Sequence, residues 1–232
     1  PVLNLEDYFV LCLNTNGSEV INSPIIDTGL STTDYSFEWT EQGSPATILG
    51  TDSFYEPSQG GTYNVLVTSN RTGCNTFGDQ NTIAIVEEST SPTAIATVLT
   101  DAFSLEHAIE VVASGAGVLD YEFSLDNGLF ESNGNSTYVF DDVSEGEHTI
   151  VVRDRNGCGE FSTTVMVMDY PLFFTPNNDG YNDTWQVQGV SSMFQPNSKI
   201  NIFNRFGKLI KEISPSEVGW DGSLNGQKLP AD

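Results

Sequence analysis

The chain has 232 residues, with 32 acidic side chains against 8 basic ones, a formal charge of −24 and a pI near 4.1. Its hydrophobic share of 38% supports folded cores despite that charge, and no run of about 18 apolar residues occurs to span a membrane. A surface this acidic repels phosphate backbones and anionic lipid heads, which argues against nucleic acid and direct membrane insertion. Three cysteines and two histidines leave little material for a zinc site or a histidine-based catalytic centre, so the arithmetic leans away from an enzyme.

The sequence opens at Pro1 and closes at Asp232 inside a strand-approach motif, which reads as a segment of a longer protein. Through the acidic first part, short alternating runs of Val, Ile, Thr, Tyr and Phe are broken by turn signals at Asn16-Gly17, Asp126-Asn127-Gly128 and Asn156-Gly157. Alternation puts one face of a strand into a core and demands a second sheet to cover it, so the chain is expected to be all-β and built of sandwiches.

An internal repeat divides this part. Tyr35-Ser36-Phe37-Glu38-Trp39 is echoed by Tyr121-Glu122-Phe123-Ser124-Leu125, and Gly61-Thr62-Tyr63-Asn64-Val65 by Gly146-Glu147-His148-Thr149-Ile150. Gly73-Cys74 is echoed by Gly157-Cys158, the three offsets falling between 84 and 86 positions. Two homologous units over 1–89 and 90–169 are expected, joined through Glu87 to Thr93. Ala102 to Val112 comes nearest to a helical pattern, although its Ile109 to Val112 end reads as strand.

Cys12 and Cys74 frame the first unit with Trp39 between them, which resembles the Cys…Trp…Cys pattern of immunoglobulin domains. The resemblance implies a Cys12–Cys74 disulfide, worth roughly 4 kcal/mol in the chain-entropy model and requiring an oxidising compartment. Cys74 departs from the pattern, because it lies past the strand near a turn. The other reading is two independent buried thiols. Cys158 has no obvious partner and reads as a packed turn thiol.

The composition changes near Tyr170. Before that point there are 26 acids against 3 bases, and from Pro171 onward 6 acids against 5 bases. The text from Pro171 contains Phe174-Thr175-Pro176-Asn177-Asn178-Asp179-Gly180-Tyr181-Asn182-Asp183-Thr184-Trp185, then Ile200-Asn201-Ile202-Phe203-Asn204-Arg205-Phe206-Gly207, then Trp220-Asp221-Gly222 and Gly226-Gln227-Lys228-Leu229-Pro230. Ile200/Ile202 and Leu209/Ile210 predict two strands about a tight turn, and Trp185 and Trp220 supply large core anchors for a small domain.

These blocks resemble the gliding-motility-associated C-terminal domain family, the type B sorting domain of type IX secretion system cargo. The match covers 171–232, about a quarter of the chain, with the blocks in order. The upstream units are similar to the Ig-like and adhesin repeats that precede this domain in large gliding-motility surface adhesins. The resemblance implies a small C-terminal β-sandwich sorting domain over 170–232, export across the outer membrane, and a cell-surface or secreted destination. It implies as partners the type IX translocon and its outer-membrane shuttle protein. In the family, Leu-Pro is followed by further strands, so the domain as given reads as truncated at Ala231-Asp232. Ile200, Ile202, Phe203, Asn204, Arg205, Phe206, Gly207 and Lys208 are the candidate recognition face; the other reading is that they only pack the domain.

Thr175, Asn177, Asp179, Tyr181 and Asp183 carry the spacing of a calcium loop, with Gly180 at the sharp turn. A Thr stands at the first place and Gln186 at the twelfth, so an Asx-rich turn holding itself together is the rival. His107 and His148 lack a nucleophile at a recognisable spacing, and the repeat puts His148 where Tyr63 stands, as a packing residue. Acidic pairs such as Asp141-Asp142 read as solvated loop charge. The expectation is a non-catalytic C-terminal region of a surface adhesin or gliding-associated protein with unidentified surface or glycan ligands. The alternative is a carbohydrate-binding accessory region of a large secreted hydrolase.

Overall fold

The computed structural model describes residues 3, 5–77, 82–102, 104, 106–190, 197–214 and 217–229. Phe103 and Leu105, and Pro230 to Asp232 at the end of the last motif, lie outside the described residues. Seventeen strands and no α-helix occur among the described residues, so the chain is all-β.

The first unit contains β1 (Tyr8–Leu13), β2 (Val20–Asn22), β3 (Ile26–Asp27), β4 (Tyr35–Glu41), β5 (Phe54–Tyr55), β6 (Gly61–Ser69) and β7 (Ile83–Thr90). Five of them form one sheet in the order β2-β1-β7-β6-β4, and β3 pairs with β5. In β6, Tyr63, Val65 and Val67 are buried while the residues between them turn outward, the period of two that the sequence carries. They pack with Leu11, Ile26, Phe37, Trp39, Ala84 and Val86. The buried polar handles are satisfied locally: Trp39 Nε1 donates to the Asp52 carbonyl at 2.9 Å, and the Tyr63 hydroxyl to that of Gln59 at 2.8 Å. Burial pushes the Tyr63 hydroxyl up to about 12.

The second unit has β8 (Thr93–Val98), β9 (Ile109–Ser114), β10 (Tyr121–Leu125), β11 (Thr137–Phe140), β12 (Gly146–Asp154) and β13 (Glu160–Val167). Two three-stranded sheets, β10-β12-β13 and β11-β9-β8, face each other over a core of Ile109, Val111, Phe123, Ile150, Val152 and Val167. The repeat seen in sequence is a repeat in register. Phe37 pairs with Val67 across β4–β6, and Phe123 with Val152 across β10–β12.

The cysteine pairing differs from the expected one: the disulfide joins Cys12 to Cys158, across the two units, and Cys74 is free and exposed. The registers explain why. β1 runs parallel to β7 with Cys12 opposite Ser89, at the end where the chain leaves the first unit. Cys74 accepts through its carbonyl from the Ser69 N–H at the far end of β6, where β7 has not yet begun. About eleven residues of strand, some 35 Å at ~3.3 Å per residue, separate those two levels. Cys158, in the corresponding turn of the second unit, faces back toward the first. Closing a loop with a sequence separation of 146 is worth about 5 kcal/mol in the chain-entropy model.

Candidate functional site

The C-terminal region contains two hairpins, β14 (Ile200–Phe203) with β15 (Leu209–Ile213), and β16 (Ser223–Leu224) with β17 (Gln227–Lys228). The motif blocks that lie apart in sequence meet in space. Trp185 and Trp220 exchange both backbone hydrogen bonds at 2.8 Å. The Phe174 and Trp220 rings lie 5.7 Å apart, and a Cβ on Gly222 would stand 3.3 Å from the Phe174 ring. The Gln186 amide donates to the carbonyls of Ser214 and Glu217, both at 3.0 Å. Lys228 Nζ donates to the Pro176 carbonyl, tying the second hairpin to the Asx-rich loop. Asp221 accepts from the Ser223 hydroxyl at 2.6 Å and from its N–H at 3.0 Å, and those bonds hold its carboxyl below the usual range.

The five candidate calcium residues sit in one loop at the surface, where Asn177, Asp179 and Asp183 bond within the loop while Tyr181 is exposed. Asp183 accepts from the Asn178 and Gly180 N–H groups, one on each carboxylate oxygen. Asp179 accepts from the Tyr181 N–H at 2.8 Å and from the Asn177 amide at 2.8 Å, and those bonds lower its carboxyl. Thr175 donates its N–H to the Asn182 carbonyl. Positive φ at Asn178 and Asn182, near 69° and 50°, completes a turn that Asn tolerates better than most side chains. Among the described residues no group of three or more His, Cys, Asp or Glu side chains converges as a metal site. The geometry is that of a self-held Asx turn, and a cation there would compete with backbone N–H groups for both carboxylates.

The β14–β15 hairpin brings all eight candidate recognition residues together. Asn204 builds the turn, its Oδ1 accepting from the Phe206 and Lys208 N–H groups at 3.0 and 2.9 Å. Gly207 supplies the left-handed residue at φ +76°. Ile200 and Ile202 are half-buried and Ile213 fully so, which gives the hairpin an inner face. Outward it presents Phe203, Leu209 and Phe206, the last 80% exposed. The Arg205 guanidinium lies 5.1 Å from the Phe206 ring centroid, and Lys208 and Lys211 are exposed. Lys199 pairs with Glu212 across the strands at 2.8 Å. A projecting surface that is both apolar and cationic suits contact with another protein.

The histidines lie in the second unit, apart from this region's two hairpins. His107 is buried, with Nδ1 3.1 Å from the Thr100 hydroxyl and Nε2 3.8 Å from Asp169. His148 is held between Asp126 at 2.7 Å and the Ser144 carbonyl at 2.8 Å. Sequence reasoning missed the role of Cys158 and the clamp on Glu122, which accepts from Arg153 and Arg155 at 2.7 and 2.6 Å. The Arg71-Thr72-Gly73-Cys74 and Arg155-Asn156-Gly157-Cys158 echo was the signal that Cys158 belongs to a repeated turn. No helix among the described residues is long and apolar enough to cross a membrane.

Residues 168–232 match the family described as CHU_C Type IX secretion signal domain. The C-terminal region is therefore a type IX secretion signal domain, which engages the type IX machinery and directs export across the outer membrane to the cell surface or beyond. No curated protein matches the chain. Among solved structures, the chain is similar to the I67-I69 I-band fragment of titin, at 13% identity over 90% of this chain and 80% of that one, with a TM-score of 0.42. It is also similar to bovine butyrophilin, at 9% identity over 72% and 96% with a TM-score of 0.36. Three N-terminal domains of the bacteriophage RB49 outer capsid protein Hoc match at 12% identity over 91% and 78%, with a TM-score of 0.31. The architecture rests on the strands, registers and cores described above.

Proposed function

We propose that this chain is a non-catalytic portion of a cell-surface adhesin or gliding-associated protein, in which two Ig-like sandwiches form a stalk or adhesive segment and the last domain is the address read during export. The observation that carries this reading is the signal-domain match over 168–232, on a region whose motif blocks lock onto one another and leave one hairpin projecting. The blocks around Trp185, Trp220 and the Asx turn hold the domain; the β14–β15 hairpin is the face offered to the translocon and its shuttle protein. Export past an outer membrane also suits the disulfide, which needs an oxidising compartment.

The hairpin assignment is tested with the 232-residue chain in a bacterium that has type IX secretion. Phe206→Ser with Lys208→Glu alters only exposed side chains of the turn, so the purified variant should keep its thermal midpoint while its extracellular fraction falls at least tenfold. Full export of that variant would move the recognition face elsewhere in the domain. Binding of the exported chain to cells or immobilised glycans, against none for the signal domain alone, tests the adhesive role.

A further inference from the structure

We propose that the Cys12–Cys158 disulfide is a mechanical shunt: a covalent path that carries tension past β2 to β12 and limits how far the two sandwiches can be drawn out while the protein is pulled. Its biological use rests on the surface-stalk reading; its geometry does not. Pulling on the two ends loads the chain along β1 as far as Cys12, across the disulfide to Cys158, and out along β13 toward Asp169 and the signal domain. Everything from β2 to β12 lies inside the closed loop and cannot be drawn out by the pull, whereas β1 and β13 lie outside it and bear the load. That loop holds Ile26, Phe37, Trp39, Tyr63, Val65 and Val67 of the first core, and the whole second core except Val167.

The joint is built to pass load without slack. Thr90 donates its N–H to the Ala116 carbonyl at 2.9 Å, and its hydroxyl accepts from the Ala116 N–H at 2.8 Å. Ser89 Oγ donates to the Val118 carbonyl at 2.9 Å, and the Ser91 N–H to that of Leu13 at 2.8 Å. The contact is so close at Gly117 that an added Cβ would stand 2.0 Å from the Glu88 carbonyl oxygen. Cys12 and Cys158 are fully buried there, so a soluble thiol reaches the bridge only by opening the joint. A bridge within one sandwich would shield strands of that sandwich alone; this one shields strands of two.

The withheld length is large. A sequence separation of 146 corresponds to about 500 Å of chain at ~3.3–3.6 Å per residue. The test is single-molecule stretching of the 232-residue chain, tethered by its ends, with and without a trialkylphosphine reductant. Oxidised, the ends should separate by no more than about 300 Å, the reach of the residues outside the loop. Reduced, the same chain should give about 500 Å more. That difference survives even if the reduced chain unfolds before it is pulled, because total length is what is read. Cys74→Ser should behave as the native chain and Cys12→Ser as the reduced one. Equal lengths with and without reductant, or loss of the lock in Cys74→Ser, would overturn the shunt. Failure of export in cells would strike at the surface-stalk reading and leave these lengths unchanged.

Discussion

Tyr63 and His148 occupy the same place in the two sandwiches and do the same work: the Tyr63 hydroxyl donates to the Gln59 carbonyl at 2.8 Å, and His148 Nε2 to the Ser144 carbonyl at 2.8 Å, each four residues back. Both side chains are buried on the equivalent strand, β6 or β12. His148 goes further, because its second nitrogen meets Asp126 Oδ2 at 2.7 Å. With an acceptor facing each ring nitrogen, the side chain is held on two sides, which suits a structural strut.

His148→Ala should therefore lower the stability of the second sandwich by about 2–3 kcal/mol, since a buried ring is lost together with both of its hydrogen bonds. Tyr63→Phe, which removes one hydroxyl and keeps the ring, should cost about 1 kcal/mol in the first. Urea midpoints of the two variants decide the matter, and equal losses would contradict the assignment.

Asp126 gives the same site a pH dependence. Burial pulls its carboxyl up, but hydrogen bonds from His148 and the Thr149 N–H outweigh this and hold it below the ordinary value. A depressed carboxyl stabilises the fold above its unfolded value, near 3.9, and that contribution disappears as pH falls through the lower folded value. Stability should thus drop on acidification from about pH 5 toward pH 2, and Asp126→Asn should flatten the drop. Denaturant titrations at pH 5, 4 and 3 measure both slopes; parallel slopes would refute the link.

Cysteine accounting should find a single reactive thiol. The native chain takes one equivalent of maleimide, at exposed Cys74, while non-reducing peptide mapping recovers Cys12 linked to Cys158. A Cys12–Cys74 peptide would contradict the registers that place those residues at opposite ends of the sheet.

In the signal domain, Gly219 stands at φ +100° with an added Cβ 2.7 Å from the Trp185 carbonyl oxygen. Gly219→Ala should push Trp185 and Trp220 apart and cost about 1–3 kcal/mol, read from the tryptophan fluorescence midpoint. An unchanged midpoint would mean that the tryptophan bridge does not hold the domain.

The loop at 175–183 supplies a metal prediction. Because both carboxylates already accept backbone or amide N–H groups, millimolar calcium or excess chelator should leave the thermal midpoint within about 1 °C, a shift that corresponds to a few tenths of a kcal/mol. A calcium-dependent rise of several degrees would favour the calcium reading over the self-held turn.

Much of this was legible in the sequence because it is written in local periodicity. The alternation in Gly61 to Ser69 is the strand β6, and the repeat offsets are the registers Phe37–Val67 and Phe123–Val152. The turn at Arg205-Phe206-Gly207 declared itself through its glycine. The disulfide was not legible in that way. Spacing between Cys12 and Cys74 measures loop length, whereas pairing depends on which end of a sheet each residue reaches, and that follows from β1 lying parallel to β7. The Asx loop was ambiguous because a calcium loop and a self-held turn share residue types and Asx-type N–H bonds alike.

Type IX export is tested most directly by fractionation of this chain, carried behind an inner-membrane export signal and with any native residues that follow Asp232, in a type IX-competent bacterium and in the same strain lacking the translocon. The expected result is chain outside the cell in the first strain and periplasmic retention in the second. Equal amounts outside both strains, or periplasmic retention in both, would contradict a signal domain that functions as the export address.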